Sequence, residues 1–241
     1  MAQVQNIFER YEKKYLMDEQ QYQALTNFLQ GPMTANEYGR YTICNIYFDT
    51  PDYRLIRTSI EKPVYKEKLR LRSYGVPQNE DTVFVELKKK FKGIVYKRRV
   101  PMTLSEAGEY LNRGKQPNKP GQIIKEIDWF RNFYQCVIPK LYLAYDRIAM
   151  ESREDPDLRI TFDTNIRWRE SVLDLSKGVW GSTLLGEGQH LMEIKIPGSM
   201  PLWLSRGLTE LKIFPTPYSK YGNCYKNYLI YSHEMGGRQS A

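Results

Sequence analysis

The segment Lys66-Glu67-Lys68-Leu69-Arg70-Leu71-Arg72 carries a cation at every second position. Side chains of a β-strand alternate between its two faces, so the segment predicts a strand with one basic face and one largely apolar face. The segment Phe84-Val85-Glu86-Leu87-Lys88-Lys89-Lys90 follows the same rule, with Glu86, Lys88 and Lys90 opposite Val85 and Leu87. Several such strands in one chain favour a closed barrel whose charged faces line the interior and whose apolar faces carry helices.

The remaining sequence supplies enough strands for such a barrel. Including the two segments above, strands are predicted at 7–16, 41–49, 64–73, 82–90, 94–100, 141–151, 158–169 and 190–196. Helices are predicted at about 18–30, 52–59, 104–113, 123–137, 202–213 and 217–231. Hairpin connections dominate, which favours an antiparallel sheet over a doubly wound one. The predicted fold class is α+β, an eight-stranded antiparallel β-barrel with helices packed around the outside, and residues 1–241 are expected to form a single domain.

Composition narrows the class of protein and of partner. Hydrophobic residues make up 41% and charged residues 27%, as in ordinary soluble globular chains. The net charge of +8 favours an anionic partner, whether nucleic acid, nucleotide, polyphosphate or an acidic membrane surface. The three cysteines form no CxxC pair and there are two histidines, so neither disulfides nor a zinc site is expected.

The sequence begins without a basic-then-apolar leader. It also has no apolar run near the roughly 20 residues that span a bilayer. We therefore expect a cytoplasmic protein, whose association with a membrane would go through a partner.

Cations on the alternating strand faces are the first candidates for binding. They are Lys68, Arg70, Arg72, Lys88, Arg147, Arg159 and Lys195. Gathered inside a barrel, they would repel one another unless an anion lay between them. A phosphate group relieves that repulsion through charge-assisted hydrogen bonds. The alternative, that these are solvated outer faces of separate strands, leaves the opposite apolar faces needing another covering layer.

Carboxylates at two-residue spacing from lysines form the second group of candidates. Glu12, Glu86 and Glu193 each stand two positions before a lysine. They either neutralise the cations or hold a divalent metal together with substrate phosphate oxygens, as is common at phosphoryl-transfer sites. Glu193 is the strongest metal candidate. Known phosphate-loop motifs are absent, and no Ser or Cys has an evident His partner for nucleophilic catalysis.

A series of motifs resembles the VTC domain, the polyphosphate polymerase module of the vacuolar transporter chaperone complex. This domain belongs to the triphosphate tunnel metalloenzymes, alongside the CYTH phosphatases. The resemblance covers the chain from about Phe8 to Tyr228. In order, the motifs are Arg10-Tyr11-Glu12-Lys13-Lys14-Tyr15, Tyr47-Phe48-Asp49-Thr50-Pro51-Asp52, Lys68-Leu69-Arg70-Leu71-Arg72-Ser73-Tyr74-Gly75, Val83-Phe84-Val85-Glu86-Leu87-Lys88, Tyr145-Asp146-Arg147, Leu158-Arg159-Ile160-Thr161-Phe162-Asp163-Thr164, Met192-Glu193-Ile194-Lys195 and Ser219-Lys220-Tyr221.

The resemblance implies a tunnel that transfers the γ-phosphoryl group of ATP onto a polyphosphate chain, with Mn²⁺ or Mg²⁺ as cofactor. The residues expected to act directly on the phosphates are Arg70, Arg72, Lys88, Arg147 and Arg159. Further contacts with the substrate are expected from Lys14, Lys68, Lys195, Ser219 and Lys220. Glu193 matches the family's metal ligand, and Glu12 has a weaker claim. The CYTH branch opens with Glu-x-Glu-x-Lys, whereas this chain has Arg10-x-Glu12-x-Lys14, which favours the VTC branch.

Two other functions remain open at this point, and a third is argued against. The same tunnel could hydrolyse triphosphates or polyphosphate, or it could bind polyphosphate without catalysis on behalf of a membrane protein. Nucleic-acid binding is not expected, because the cations lie on strand faces rather than on one helix or a flexible tail. The expected partners are ATP or another triphosphate, inorganic polyphosphate and a membrane protein.

Overall fold

The computed structural model describes residues 11–92, 94–117 and 120–230. Its strands are β1 (Tyr11–Met17), β2 (Met33–Asp49), β3 (Tyr65–Tyr74), β4 (Thr82–Phe91), β5 (Ile94–Thr103), β6 (Ile138–Ser152), β7 (Arg159–Arg169), β8 (Ser182–Thr183) and β9 (His190–Ile196). They form one sheet in the order β1-β9-β7-β6-β2-β3-β4-β5, with the short β8 paired to β7. All of these pairings are antiparallel.

The sheet is curled into a barrel-like tunnel, which confirms the predicted fold class. Within the described ranges, backbone pairing does not join the outermost strands β1 and β5. Side chains bridge the tunnel instead, because Lys88 Nζ on β4 lies 3.0 Å from Glu12 Oε2 on β1. Residues 7–10 of the predicted first strand lie outside the described residues.

Six α-helices accompany the sheet in the described part of the chain. They are α1 (Glu19–Leu29), α2 (Arg54–Ile60), α3 (Leu104–Arg113), α4 (Gln122–Tyr134), α5 (Leu202–Glu210) and α6 (Lys220–Cys224), the last continuing as a π-helical segment, Tyr225–Leu229. Asp18 and Thr103 close reciprocal capping boxes that start α1 and α3. None of the described helices combines the length and apolarity needed to cross a bilayer.

The apolar strand faces are covered from outside, as predicted. The outer faces of β2, β3, β4 and β6 pack against α3 and α4 in one buried cluster, with Leu69, Leu87 and Phe130 fully enclosed. The outer faces of β1, β7 and β9 pack against α1 and α5 in a second cluster, which includes Phe162 and Leu204. Burial of this apolar surface stabilises the curl and turns the charged faces inward.

The C-terminal helix departs from the predicted arrangement, because α6 packs on the inner face of the sheet. Tyr221, Cys224 and Leu229 form a third buried cluster with inner residues of β2, β6, β7 and β9. These strands carry apolar or aromatic side chains at one end of the inner face, including Tyr47 and Leu143. Burial of these side chains therefore requires an apolar element that covers this end and excludes solvent.

Several element boundaries also differ from prediction, most of them by one to three residues. β2 begins at Met33 instead of 41, because its first part pairs with the end of β6, where Met33 faces Ser152. The last helix begins at Lys220 instead of 217, capped by the side chain of Ser219. Residue 231, the predicted end of that helix, lies outside the described residues.

Candidate functional site

The inner face of the sheet gathers most of the predicted site residues. The strand registers place Lys68 opposite Lys88, Arg70 opposite Glu86, Arg147 opposite Asp163, and Lys14 opposite Glu193. Directly paired residues project to the same side of a sheet. The alternation read from the sequence therefore becomes one continuous charged surface inside the curl.

Glu86 is the shared acidic partner in a group of charged residues on β3, β4 and β5. Its side chain is fully buried, and its carboxylate lies 2.7 Å from Arg70 Nη2 and 2.8 Å from Lys97 Nζ. Arg72 lies 3.8 Å from the same carboxylate and donates to Asn45 Oδ1 at 2.9 Å. Burial alone would raise the pKa of Glu86, but these cations hold it far below its usual range. Glu86 thus neutralises cations, one of the two roles considered for it.

A second paired group lies on β6, β7 and α6. Arg147 donates two hydrogen bonds to Asp163, at 2.6 and 2.7 Å, and Lys220 Nζ lies 2.5 Å from Asp163 Oδ2. Asp163 is fully buried. Burial opposes its ionisation, but Lys220 and Arg147 outweigh that effect and lower its pKa. Asp163 was not among the predicted site residues, although it shares an alternating face with Arg159.

Tyr145 stands between the two paired groups. Its hydroxyl accepts a hydrogen bond from Arg72 Nη2 at 3.3 Å, and Lys220 Nζ lies 4.4 Å from its ring centre. Burial would raise the pKa of Tyr145, but the charges of Arg72, Arg147 and Lys220 lower it to about 8. Tyr145 lies within the motif Tyr145-Asp146-Arg147 but was not among the predicted site residues.

We call Lys14, Lys68 and Lys88 the lysine cluster, and its charges are compensated unevenly. Lys88 pairs with Glu12 at 3.0 Å and Lys14 lies opposite Glu193, whereas the ammonium of Lys68 lies 3.4 Å from a hydroxyl, that of Ser219. Burial, together with the charges of Lys14 and Lys88, lowers the pKa of Lys68 to about 7. Burial also lowers the pKa of Lys14, against the opposing effect of Glu193. The ammonium of Lys68 thus lies among like charges, with Lys14 and Lys88 the strongest of them. Such a cluster is stabilised by an anion between its members.

Residues 214–219, which we call the strap, run past the lysine cluster. The strap is fixed to β1, because Thr216 N donates to Lys14 O at 2.7 Å. Lys14 Nζ donates to Tyr218 O at 2.9 Å, and Lys68 Nζ lies 3.4 Å from Ser219 Oγ. Ser219 and Lys220 therefore lie at the tunnel wall, and their contact with substrate stays a prediction.

Helix α6, which follows the strap, is anchored by a buried hydrogen bond. Tyr221 OH donates to the buried Asp49 at 2.9 Å, and the same carboxylate accepts from the backbone of α2. The strap and α6 together cover this end of the inner face.

Glu193 and Glu12 offer the hard oxygen donors for a divalent cation. Burial opposes the ionisation of Glu193, but Lys195, Lys14 and Lys88 keep its pKa well below the usual range. Beside it, paired across β7 and β9, the buried Thr161 Oγ1 has no hydrogen-bond partner within the structure. The described residues contain no group of three His, Cys, Asp or Glu side chains arranged for a metal. Two carboxylates and a hydroxyl nevertheless fit an ion that takes its other ligands from phosphate and water.

Two further predicted residues, Arg159 and Lys195, face each other across β7 and β9. The Arg159 side chain is 47% exposed and lies 3.6 Å from Glu151, so the structure does not bring it into the lysine cluster. Lys195 Nζ lies 3.3 Å from Glu193 Oε1. Lys97 was missed by the sequence reading, although the alternation of Val95, Lys97 and Arg99 on β5 could have revealed it.

Comparisons with known proteins agree with this architecture. A candidate adenylate cyclase from Bacillus halodurans has a similar structure, with a TM-score of 0.56 and 16% identity over 92% of this chain and 98% of its own. A candidate adenylyl cyclase from Hippeastrum, described as having dominant triphosphatase activity, gives a TM-score of 0.48 and 14% identity over 90% of this chain and 94% of its own. No curated protein sequence matches. The VTC domain profile matches residues 9–229, and the chain therefore belongs to the VTC domain family.

Proposed function

We propose that the chain is a metal-dependent phosphotransferase that moves the γ-phosphoryl group of ATP onto a polyphosphate chain in its tunnel. The observation that carries the proposal is the lysine cluster. Lys14, Lys68 and Lys88 lie together on an inner wall, and burial with mutual repulsion lowers the pKa of Lys68 to about 7. An anion beside Lys68 would relieve this repulsion, and a phosphate chain supplies closely spaced negative charges.

The paired arginines suit the same substrate. Arg70, Arg72 and Arg147 are each held by hydrogen bonds to a neighbouring side chain, so their guanidinium groups are fixed before the substrate arrives. Fixed donors stabilise developing charge without reorganisation, which is the main requirement of phosphoryl transfer. A terminal oxygen of the polyphosphate would form a bond to the γ-phosphorus of ATP. The bond to the β–γ bridging oxygen would break, and ADP would leave.

Glu193, Glu12 and Thr161 are the residues that would hold a divalent cation in this scheme. Mn²⁺ or Mg²⁺, when bound, would neutralise part of the negative charge of the phosphates. Lys195 and Lys88, which now pair with the two carboxylates, would then be free to turn towards the phosphates. All of these residues lie on the one sheet, so we propose that the chain acts as a single tunnel domain.

The test is to incubate the purified chain with ATP and Mn²⁺ and to resolve polyphosphate, ADP and orthophosphate. Polyphosphate with ADP is the expected result. Orthophosphate without polymer would indicate a hydrolase. Tight binding of polyphosphate without turnover would indicate a binding subunit.

A matched pair of variants on β1 distinguishes the effect of a cation inside the tunnel from the effect of the overall positive charge of the protein. Lys14→Met removes a cation of the lysine cluster, whereas Lys13→Met removes an exposed one next to it in sequence. We expect Lys14→Met to lose turnover and Lys13→Met to retain it. Equal activity of the two variants would contradict the tunnel as the site of reaction.

A further inference from the structure

The end of the tunnel opposite the strap carries a row of aromatic side chains. Tyr38, Tyr41, Tyr74 and Phe84, which we call the mouth aromatics, follow one another with ring centres 6.4, 6.1 and 5.8 Å apart. Tyr38 is 71% exposed and Tyr74 is 50% exposed. Large aromatic side chains so exposed, and arranged in contact, form a surface on which a flat ring can stack.

The mouth aromatics lie next to the candidate phosphate-binding residues on the inner face of the sheet. Phe84 pairs with Arg72, and Tyr41 pairs with Arg147. Tyr74 follows Arg72 by two residues on the same strand face, which is about 7 Å along the strand. A ligand whose phosphates contact these arginines would therefore extend its next group over Tyr74 and Tyr41.

The two ends of the tunnel differ in the room that they offer. Lys14 and Lys68 contact the strap, and α6 packs against the inner face at that end. At the aromatic end, Tyr38 and Tyr74 are exposed. A nucleoside therefore fits the aromatic end, with the phosphates directed towards the lysine cluster.

We propose that the mouth aromatics form a stacking site for the nucleobase of the nucleoside triphosphate that the tunnel binds, an inference that rests on the proposed function. Arg99 already lies 4.5 Å over the ring of Phe84, so the exposed rings of Tyr74 and Tyr38 are the ones that receive the base. Stacking uses the ring face, which every base possesses, and is tolerant of base identity. The site therefore distinguishes a nucleotide from inorganic tripolyphosphate, but distinguishes adenine from guanine only weakly.

The experiment measures binding of ATP, GTP and inorganic tripolyphosphate by the whole chain and by Tyr38→Ala with Tyr74→Ala. We expect ATP and GTP to bind at least about fivefold more weakly to the variant, since stacking on one aromatic side chain contributes about 1 kcal/mol or more. Tripolyphosphate should bind both proteins equally. Trp129→Ala removes an aromatic side chain that is 57% exposed on α4, and it should change none of the three affinities.

The outcomes separate this inference from the proposed function. Unchanged nucleotide affinity in the double variant would overturn the stacking site, as would an equal loss for nucleotide and tripolyphosphate. Wild-type protein that binds tripolyphosphate but no nucleotide would overturn both the stacking site and transfer from ATP, while leaving a phosphate tunnel in place. Wild-type protein that binds neither ligand would overturn the proposed function, and the stacking site with it.

Discussion

The paired arginines and the lysine cluster both lie inside the tunnel, but they differ in how far neighbouring carboxylates neutralise their charges. Arg70 and Arg147 contact buried carboxylates, Glu86 and Asp163, at 2.6–2.7 Å. Lys68 has a hydroxyl at 3.4 Å, from Ser219, and charged neighbours of its own sign. The arginines are neutralised by the fold itself. In the lysine cluster Glu12 pairs with Lys88, but the described residues place no carboxylate within salt-bridge distance of Lys68, which therefore has room for an anion.

The chemistry of the side chains explains this division. Guanidinium stays charged at any accessible pH, so a buried arginine needs a permanent counter-charge, and its planar fork is well matched to a carboxylate. An ammonium can lose its proton when it is buried among like charges. The arginines therefore give the tunnel a fixed shape, and the lysines give it an affinity that responds to ligand and pH.

The largest expected effect comes from removing the counter-charge of the arginines. Glu86→Gln leaves Arg70, Arg72 and Lys97 without their shared carboxylate. Breaking a buried ion pair at one side costs about 3–5 kcal/mol, so the free energy of unfolding should fall by that order in urea titrations. Added tripolyphosphate should restore part of the loss, because it supplies an alternative anion.

Glu80→Gln is the matched control, since Glu80 is exposed in the turn before β4. Its free energy of unfolding should change by less than about 0.5 kcal/mol. A Glu86→Gln protein as stable as this control would show that the arginines do not depend on Glu86.

The next effect concerns the pH dependence of the lysine cluster. The pKa of Lys68 is about 7 in the anion-free fold and about 10.4 when unfolded, so the unfolded chain binds more protons between these values. Stability without an anion should therefore rise with pH across that window. A bound phosphate favours the protonated amine, so tripolyphosphate affinity should fall above pH 7, by up to about tenfold per pH unit.

Lys68→Arg tests this directly, because arginine keeps its charge throughout. Its tripolyphosphate affinity should fall less steeply than that of the wild type between pH 7 and 9. Titration of the ligand itself affects both proteins alike and cancels in the comparison. Lys13→Arg, at an exposed position, should keep the wild-type slope. Identical slopes in all three proteins would exclude Lys68 as the titrating group.

The outline of the tunnel could be predicted from sequence, because period-two alternation assigns residues to faces. Arg70, Arg72 and Lys88 follow from that pattern alone. The partners of these residues do not follow, since the register between strands decides that Arg70 meets Glu86 and Arg147 meets Asp163. A one-residue change of register would have replaced every one of these pairs.

The end of the tunnel that the strap and α6 cover was the part least predictable from the sequence. Amphipathic pattern indicated a C-terminal helix but not that it packs on the inner face, because both faces of the sheet offer apolar residues there. The position of Lys68 depends on the strap, whose contacts join residues about 150 positions apart or more. Such long-range contacts leave no local signal in the sequence.

The smallest expected effect concerns the hydroxyl of Tyr145. This prediction tests the electrostatic field of the paired arginines rather than their ion pairs. Its pKa of about 8 reflects the charges of Arg72, Arg147 and Lys220 outweighing burial. A near-ultraviolet titration of the 19 tyrosines should show one phenolate forming near pH 8, well before the others. Tyr145→Phe should lack that step and lose about 0.5–1.5 kcal/mol of stability with the hydrogen bond from Arg72.

Tyr142→Phe is the control for this step, since Tyr142 lies on the outer face of the same strand and burial raises its pKa. It should keep the early phenolate. Saturating tripolyphosphate should move the wild-type step to higher pH, because an anion beside the arginines cancels the field that stabilises the phenolate. An early step that persists unchanged with bound ligand would mean that the phosphates occupy the lysine cluster without reaching the arginines, which would divide the tunnel into two independent halves.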